Sequence, residues 1–207
     1  MKGDGRGRAA GEIGAVLFTG AAHLVCENMF HLKGPFIAAA LLGWTAYLLA
    51  AVRRDRAILR RWGLRLDDLG RAWRGPALVF ALGAAALAAI GLARGTFTLP
   101  AHLAVILLLY PVWGIAQQFM LQAMVARNLA TLLPSRLAVT LAAALLFAAV
   151  HLPDLWLCGA TFLLALLFVP LYLHRRSLLP LGVAHGWLGA LAYYWVLGRD
   201  PFLELFG

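Results

Sequence analysis

LAVILLLYPVWGIAQQFMLQAMVARNL, residues 103–129, is long and apolar enough to cross a bilayer, yet it carries three glutamines, Gln117, Gln118 and Gln122. No charged residue occurs in it before Arg127. Its apolar positions go all the way round a helix, which leaves no face suited to water. Runs of the same kind fall at about 13–31, 35–52, 76–94, 98–126, 136–152, 155–173 and 178–197, about seven candidate spans at roughly 20 residues each. The first is the weakest, because His23, Glu27 and His31 interrupt it. The fourth, which holds the glutamines, has room to tilt, to begin after Pro100 or to bend at Pro111. The expected fold class is therefore all-α: a polytopic membrane helical bundle.

Composition agrees. Hydrophobic residues make up 63% of the chain and charged residues 13%, with a mean hydropathy of +0.82, which excludes an ordinary soluble domain. The formal charge of +9 needs no nucleic acid to explain it, since basic residues beside apolar spans serve topology and meet anionic headgroups. With the N-terminus inside, the inner segments hold 15 of the 18 Lys and Arg residues. That bias places the N-terminus in the cytoplasm and the C-terminus outside, in a cell (inner) membrane. Residues 53–75, RRDRAILRRWGLRLDDLGRAWRG, mix arginines with Ile58, Trp62, Leu66 and Trp73, and read as one or two short amphipathic helices on the inner leaflet. Residues 1–12 read as a polar tail without a convincing secretory signal, and with no internal repeat the chain reads as one domain, 1–207. Cys26 and Cys158 lack metal-like spacing and are expected to pack as small apolar groups.

Polar side chains within spans are costly in lipid and are functional candidates by default. His23 and His31 each lie four residues from Glu27, the spacing of an interfacial cluster; His102 and His174 sit at span ends. That leaves Gln117, Gln118 and Gln122 in the fourth span, His151 closing the fifth and His185 in the seventh. Gln118 and Gln122 are four apart and share a helix face, as do Phe147 and His151, and His185 and Gly189. Three helices would then aim polar groups at one buried centre, either a metal or proton site or ordinary interhelical hydrogen-bonding glue.

The order of these residues resembles the CPBP superfamily of intramembrane proteases, also called the Abi or CAAX-protease family, over about residues 50–197, with a protease-like core at 98–197. That family carries E-E-x-x-x-R on one membrane helix, F-x-x-x-H on the next and H-x-x-x-N on a later one. FAAVHLP, Phe147 to Pro153, matches the second motif, and RRSLLPLGVAHGWLG, Arg175 to Gly189, runs into the third. Three departures stand out. Gln117 and Gln118 fall where the family has paired glutamates, Gln122 where it has arginine, and Gly189 where it has asparagine.

The resemblance implies an endopeptidase in which a glutamate activates water while the histidines and asparagine bind water or the oxyanion; a zinc-dependent reading also attaches to the family. A carboxamide has no accessible base form, so that mechanism does not carry over at its first step. The two histidines are one ligand fewer than catalytic zinc usually takes. Asp154, the one acid between Asp68 and Asp200, reads as a helix-terminating residue. The replacements are coherent in charge: two acids and a cation are all neutral here, so no orphan charge is left in the membrane. Three readings remain open: a pseudoprotease that binds a membrane-embedded or lipidated peptide, a lipid or a protein partner; an active endopeptidase using His151 and His185; and a membrane carrier.

Overall fold

In a computed structural model the backbone is described for residues 2–206 and the side chains for 5–26, 29–32 and 34–204, and every regular element among them is helical. The first residues, expected as a tail, are helical from Lys2 onward in α1 (Lys2–Asn28). After α2 (Lys33–Arg54) come two single turns, α3 (Ile58–Arg61) and α4 (Leu69–Ala72), then α5 (Arg74–Arg94) and α6 (Leu103–Gln118). α6 passes without a break into a π-helical stretch, Phe119–Ala126, and on into α7 (Arg127–Leu132). α8 (Arg136–Ala149), α9 (Leu155–Arg175) and α10 (Leu179–Ala192) follow, then a second π-helical turn, Tyr193–Leu197, and α11 (Pro201–Phe206).

Five of these helical runs are long and apolar enough to cross a membrane: Gly5–Cys26, Gly34–Arg54, Leu69–Arg94, Leu103–Leu132 and Leu155–Arg175. The protein is a multi-pass, all-helical membrane protein. The expected fifth and seventh spans are shorter than foreseen. α8 starts under the side chain of Ser135, which accepts from the Ala138 amide, and stops at Ala149 because the chain turns through His151 toward Pro153, which has no amide to donate. α10 starts at Leu179 with Pro180 in its first turn and gives way to the π-helical turn after Ala192.

The basic segment at 53–75 forms the two single turns, but its apolar side chains do not all face lipid as expected. Ile58, Trp62 and Ala72 are buried in protein, while Leu66 is 72% exposed. The Trp62 carbonyl accepts the Tyr172 hydroxyl at 3.0 Å, which anchors the turn on α9. Of the expected cluster near the end of α1, the Glu27 side chain lies outside the described residues. His31 sits past the helix end with φ of 54°, and His23 packs against Phe36 with ring centroids 5.6 Å apart.

Contacts divide the chain into two units, Met1–Leu64 with Met120–Arg176, and Arg65–Phe119 with Ser177–Gly207. In the first, α8 and α9 pack through Ala143, Ala144, Ala165 and Val169, joined by Leu121, Val125 and Ala126 of the π-helical stretch and by Phe147. Small residues suit this, since without a hydrophobic drive between helices in lipid, close backbone approach supplies the van der Waals contact. In the second, α6 packs on α10 around Leu103, Ile106, Ala190 and Tyr194.

The pairing of α6 with α10 also answers the proline in α6. Pro111 has no amide hydrogen, so the carbonyl four residues before it, that of Leu107, loses its helical donor. The Trp187 indole N–H of α10 donates to that carbonyl at 2.9 Å. In a bilayer, where no water can serve, such a replacement is what lets the helix continue through proline. At one end of the same unit, Asp200 accepts from the Tyr194 hydroxyl at 2.8 Å and pairs with His102 Nε2 at 2.6 Å, and the His102 ring stacks on Phe202 of α11.

Candidate site around Gln117 and His185

The second unit brings two of the candidate residues together. His185 on α10 is 6% exposed, and its Nε2 lies 2.8 Å from Oε1 of Gln117 on α6. With a carbonyl oxygen as acceptor, Nε2 carries the proton and donates, which makes Nδ1 the acceptor nitrogen of the neutral ring. A carboxamide in this place offers hydrogen bonds only. It takes the histidine proton as an acceptor and has no ionised form with which to activate water.

Three glycines decide how near these side chains come. A Cβ on Gly114 would lie 2.2 Å from the Gly182 carbonyl oxygen and 2.6 Å from the Gly186 amide nitrogen; one on Gly186 would lie 2.4 Å from the Tyr110 carbonyl oxygen. The backbones of α6 and α10 therefore touch directly, and Gln117, one turn beyond Gly114, meets His185, the neighbour of Gly186. Gly182 and Gly186 form a G-x-x-x-G pair that brackets His185, a signal the reading of the sequence missed. Gly189 differs. A Cβ there first meets the Tyr110 ring, at 3.9 Å, so the position has room for a larger side chain.

Gln118 and Gln122 are both fully buried. Their spacing of four was expected to stack them on one helix face, and from Phe119 the chain is π-helical. Its ladder runs from i to i+5, in which a spacing of four is still close to one turn.

In the first unit Phe147 and His151 stay together, though not as successive turns of a helix. α8 ends before His151, and Nδ1 of that ring donates to the Phe147 carbonyl at 2.7 Å while the two rings meet edge-on at 5.0 Å. Asp154 accepts from the Leu157 amide at 2.9 Å and so caps the start of α9, the structural role expected of it, applied to the following helix. Among the described residues no three of His, Cys, Asp and Glu come near enough to hold a metal ion. Catalytic zinc usually takes three protein ligands, so the described residues do not fit the zinc reading.

The sequence reading also passed over Glu12, which is buried in the first unit among Arg8, Tyr47, Arg127 and Asn128. Lying among the polar residues before the first apolar run, it carried no periodic signal that would mark it as inward-facing.

Residues 98–191 match a family model described as type II CAAX prenyl endopeptidase, Rce1-like. Over that stretch, just under half of its length, the chain is similar to CAAX-type endopeptidases. The matched region runs from just before α6 almost to the end of α10, close to the expected core at 98–197, and holds every motif position discussed above. It does not reach residues 50–97, where the resemblance was expected to begin. No curated protein and no solved structure matches the chain.

Proposed function

We propose that this CAAX-protease-like membrane protein does not hydrolyse peptide bonds and acts by binding a membrane-embedded or lipidated peptide, a lipid or a protein partner. The pairing of His185 with Gln117 carries the reading. At the position where the resemblance expects a catalytic glutamate, a neutral amide accepts the histidine proton, and no carboxylate stands on that helix to take a proton from water. The buried Gln118 and Gln122 extend the same neutral character along the segment. The strong excess of basic residues on alternate loops supports an N-terminus in the cytoplasm and a C-terminus outside, in the inner membrane.

The test is peptide cleavage by the purified protein in lipid, with prenylated and plain membrane peptides. It is run beside a His151→Ala, His185→Ala double variant and a Gln117→Glu, Gln118→Glu, Gln122→Arg, Gly189→Asn quadruple variant. The natural protein is expected to be silent and the quadruple variant to gain activity, and the space beside Gly189 favours the last of those substitutions. Cleavage by the natural protein that vanishes with the histidines would overturn the proposal in favour of an endopeptidase that dispenses with the glutamates.

A further inference from the structure

A second polar cluster lies in the first unit, centred on Glu12. Its carboxylate is 6% exposed, and each oxygen takes two donors. Oε1 accepts from Arg8 Nε at 2.8 Å and the Tyr47 hydroxyl at 2.7 Å; Oε2 accepts from Arg127 Nη2 at 2.8 Å and Asn128 Nδ2 at 2.7 Å. A carboxylate offers about four acceptor sites, so this one is saturated and serves to hold the guanidinium groups in place.

Beside it opens a cavity of about 220 Å³ lined by Arg8, Glu12, Arg61, Arg127, Asn128 and Thr131, among others. A single water needs only roughly 10–15 Å³, so the space suits a ligand of several heavy atoms. Among the described residues that line it, three guanidinium groups stand against one carboxylate that is already matched. Arg61 has a further partner in Asp55, an ion pair about half exposed on both sides and so weakly held. Arg127 is 17% exposed, and its Nε is buried with no hydrogen-bond partner among the described residues. Planar forked donors at this density match the oxygens of a phosphate group.

Position narrows the source. Arg8 stands near the start of the span Gly5–Cys26 and Arg127 near the end of Leu103–Leu132, so the cavity lies where apolar helices give way to polar residues, the depth of lipid phosphates. We propose that Arg61, together with Arg8 and Arg127 as ordered by Glu12, forms a binding site for a phosphate ester, carried by a lipid headgroup or by a soluble molecule.

The test follows thermal unfolding of the full chain in non-ionic detergent during titration with dioctanoyl phosphatidic acid, with dioctanoylglycerol, which lacks the phosphate, and with glycerol 3-phosphate. Phosphatidic acid is expected to bind at least about tenfold more tightly than dioctanoylglycerol, and Arg61→Gln to remove about tenfold of that affinity. Arg127→Lys, which keeps the charge and loses the fork, is expected to weaken binding similarly. Arg61 stands outside the Glu12 network, so its variant keeps the test meaningful if Arg127→Lys fails to fold. Stabilisation by glycerol 3-phosphate as well assigns the site to soluble phosphate esters; stabilisation by the lipid alone assigns it to a headgroup. Equal responses to phosphatidic acid and dioctanoylglycerol, no response to any phosphate, or indifference to Arg61→Gln would overturn the proposal.

Discussion

Replacing Gly114 by alanine should separate α6 from α10 and undo the Gln117–His185 contact. The added Cβ would stand 2.2 Å from the Gly182 carbonyl oxygen and 2.6 Å from the Gly186 amide nitrogen, where ordinary contact begins at 3.4 Å. Both obstacles are backbone, so no side chain can swing aside, and the helices must part by about 1.2 Å at this level, the gap between 2.2 and 3.4 Å. Carried one turn to Gln117, the same displacement stretches the 2.8 Å hydrogen bond to about 4 Å, beyond hydrogen-bonding range. Overpacking of a close-packed site costs about 1–3 kcal/mol, and the rigidity on both sides places this case at the upper end. The Gly189→Ala control, whose Cβ first meets the Tyr110 ring at 3.9 Å, should be neutral or stabilise by up to about 1 kcal/mol through the unfolded state. The assay combines thermal unfolding in detergent with nitrogen-15 NMR of labelled histidine, in which the resonance lost in His185→Ala identifies the Nε2 proton. Gly114→Ala should lower the melting temperature and expose that proton to exchange with water. A variant that melts with Gly189→Ala and keeps the proton protected would refute the direct backbone contact and the geometry of the site built on it.

Three further outcomes follow from other contacts. Trp187→Phe should cost about 1–2 kcal/mol by leaving the Leu107 carbonyl without a donor, and less in a Pro111→Ala background, where the restored amide serves that carbonyl; equal costs in a double-mutant cycle would refute the pairing. Glu12→Gln should destabilise the first unit by about 3 kcal/mol or more, since it leaves the partly buried Arg127 without its counter-charge, and chemical unfolding in mixed micelles measures it. Asp200 is subject to desolvation, which raises its pKa, but hydrogen bonds from Tyr194, His102 and the Leu203 amide outweigh this and hold the carboxyl below its ordinary value. The sign follows: its contribution to anchoring α11 is complete above the unfolded carboxylate pKa near 4 and is lost as pH falls through the lowered folded value. Hydrogen exchange at Leu203 and Glu204 should therefore rise steeply below about pH 4, whereas Asp200→Asn should exchange fast at neutral pH too; flat exchange in both would refute the anchor.

How much was legible varies with the range of the interaction involved. Five of the seven expected spans appear as long apolar helices because hydropathy is summed along the chain and needs no partner. The two short ones differ because Pro153 and Ser135 bound α8 tightly and a π-helical turn succeeds α10, and the run of apolar residues conceals both. Asp154 was read as a helix-end residue of the fifth span, and it caps instead the start of the following helix, α9: capping is local, but which helix it serves depends on where the chain turns. Glu12 was missed because its burial depends on Tyr47, Arg127 and Asn128, up to 116 positions away. The π-helical form of the stretch that carries Gln122 was not legible, because the sequence around it is uniformly apolar.

By itself the amino-acid order determined a multi-pass helical membrane protein and a likeness to CAAX-type endopeptidases over residues 98–191, with glutamines where that likeness leads one to expect acids and a cation. Those properties belong to residue types and spacings, and they hold whatever the helices touch. The tertiary structure alone decided that Gln117 meets His185, that Trp187 serves the carbonyl Pro111 leaves bare, and that three arginines ring a cavity beside Glu12. Each rests on a distance of a few ångströms between segments far apart in the chain. Such distances are set by whether a glycine lets two backbones touch, which hydropathy does not record.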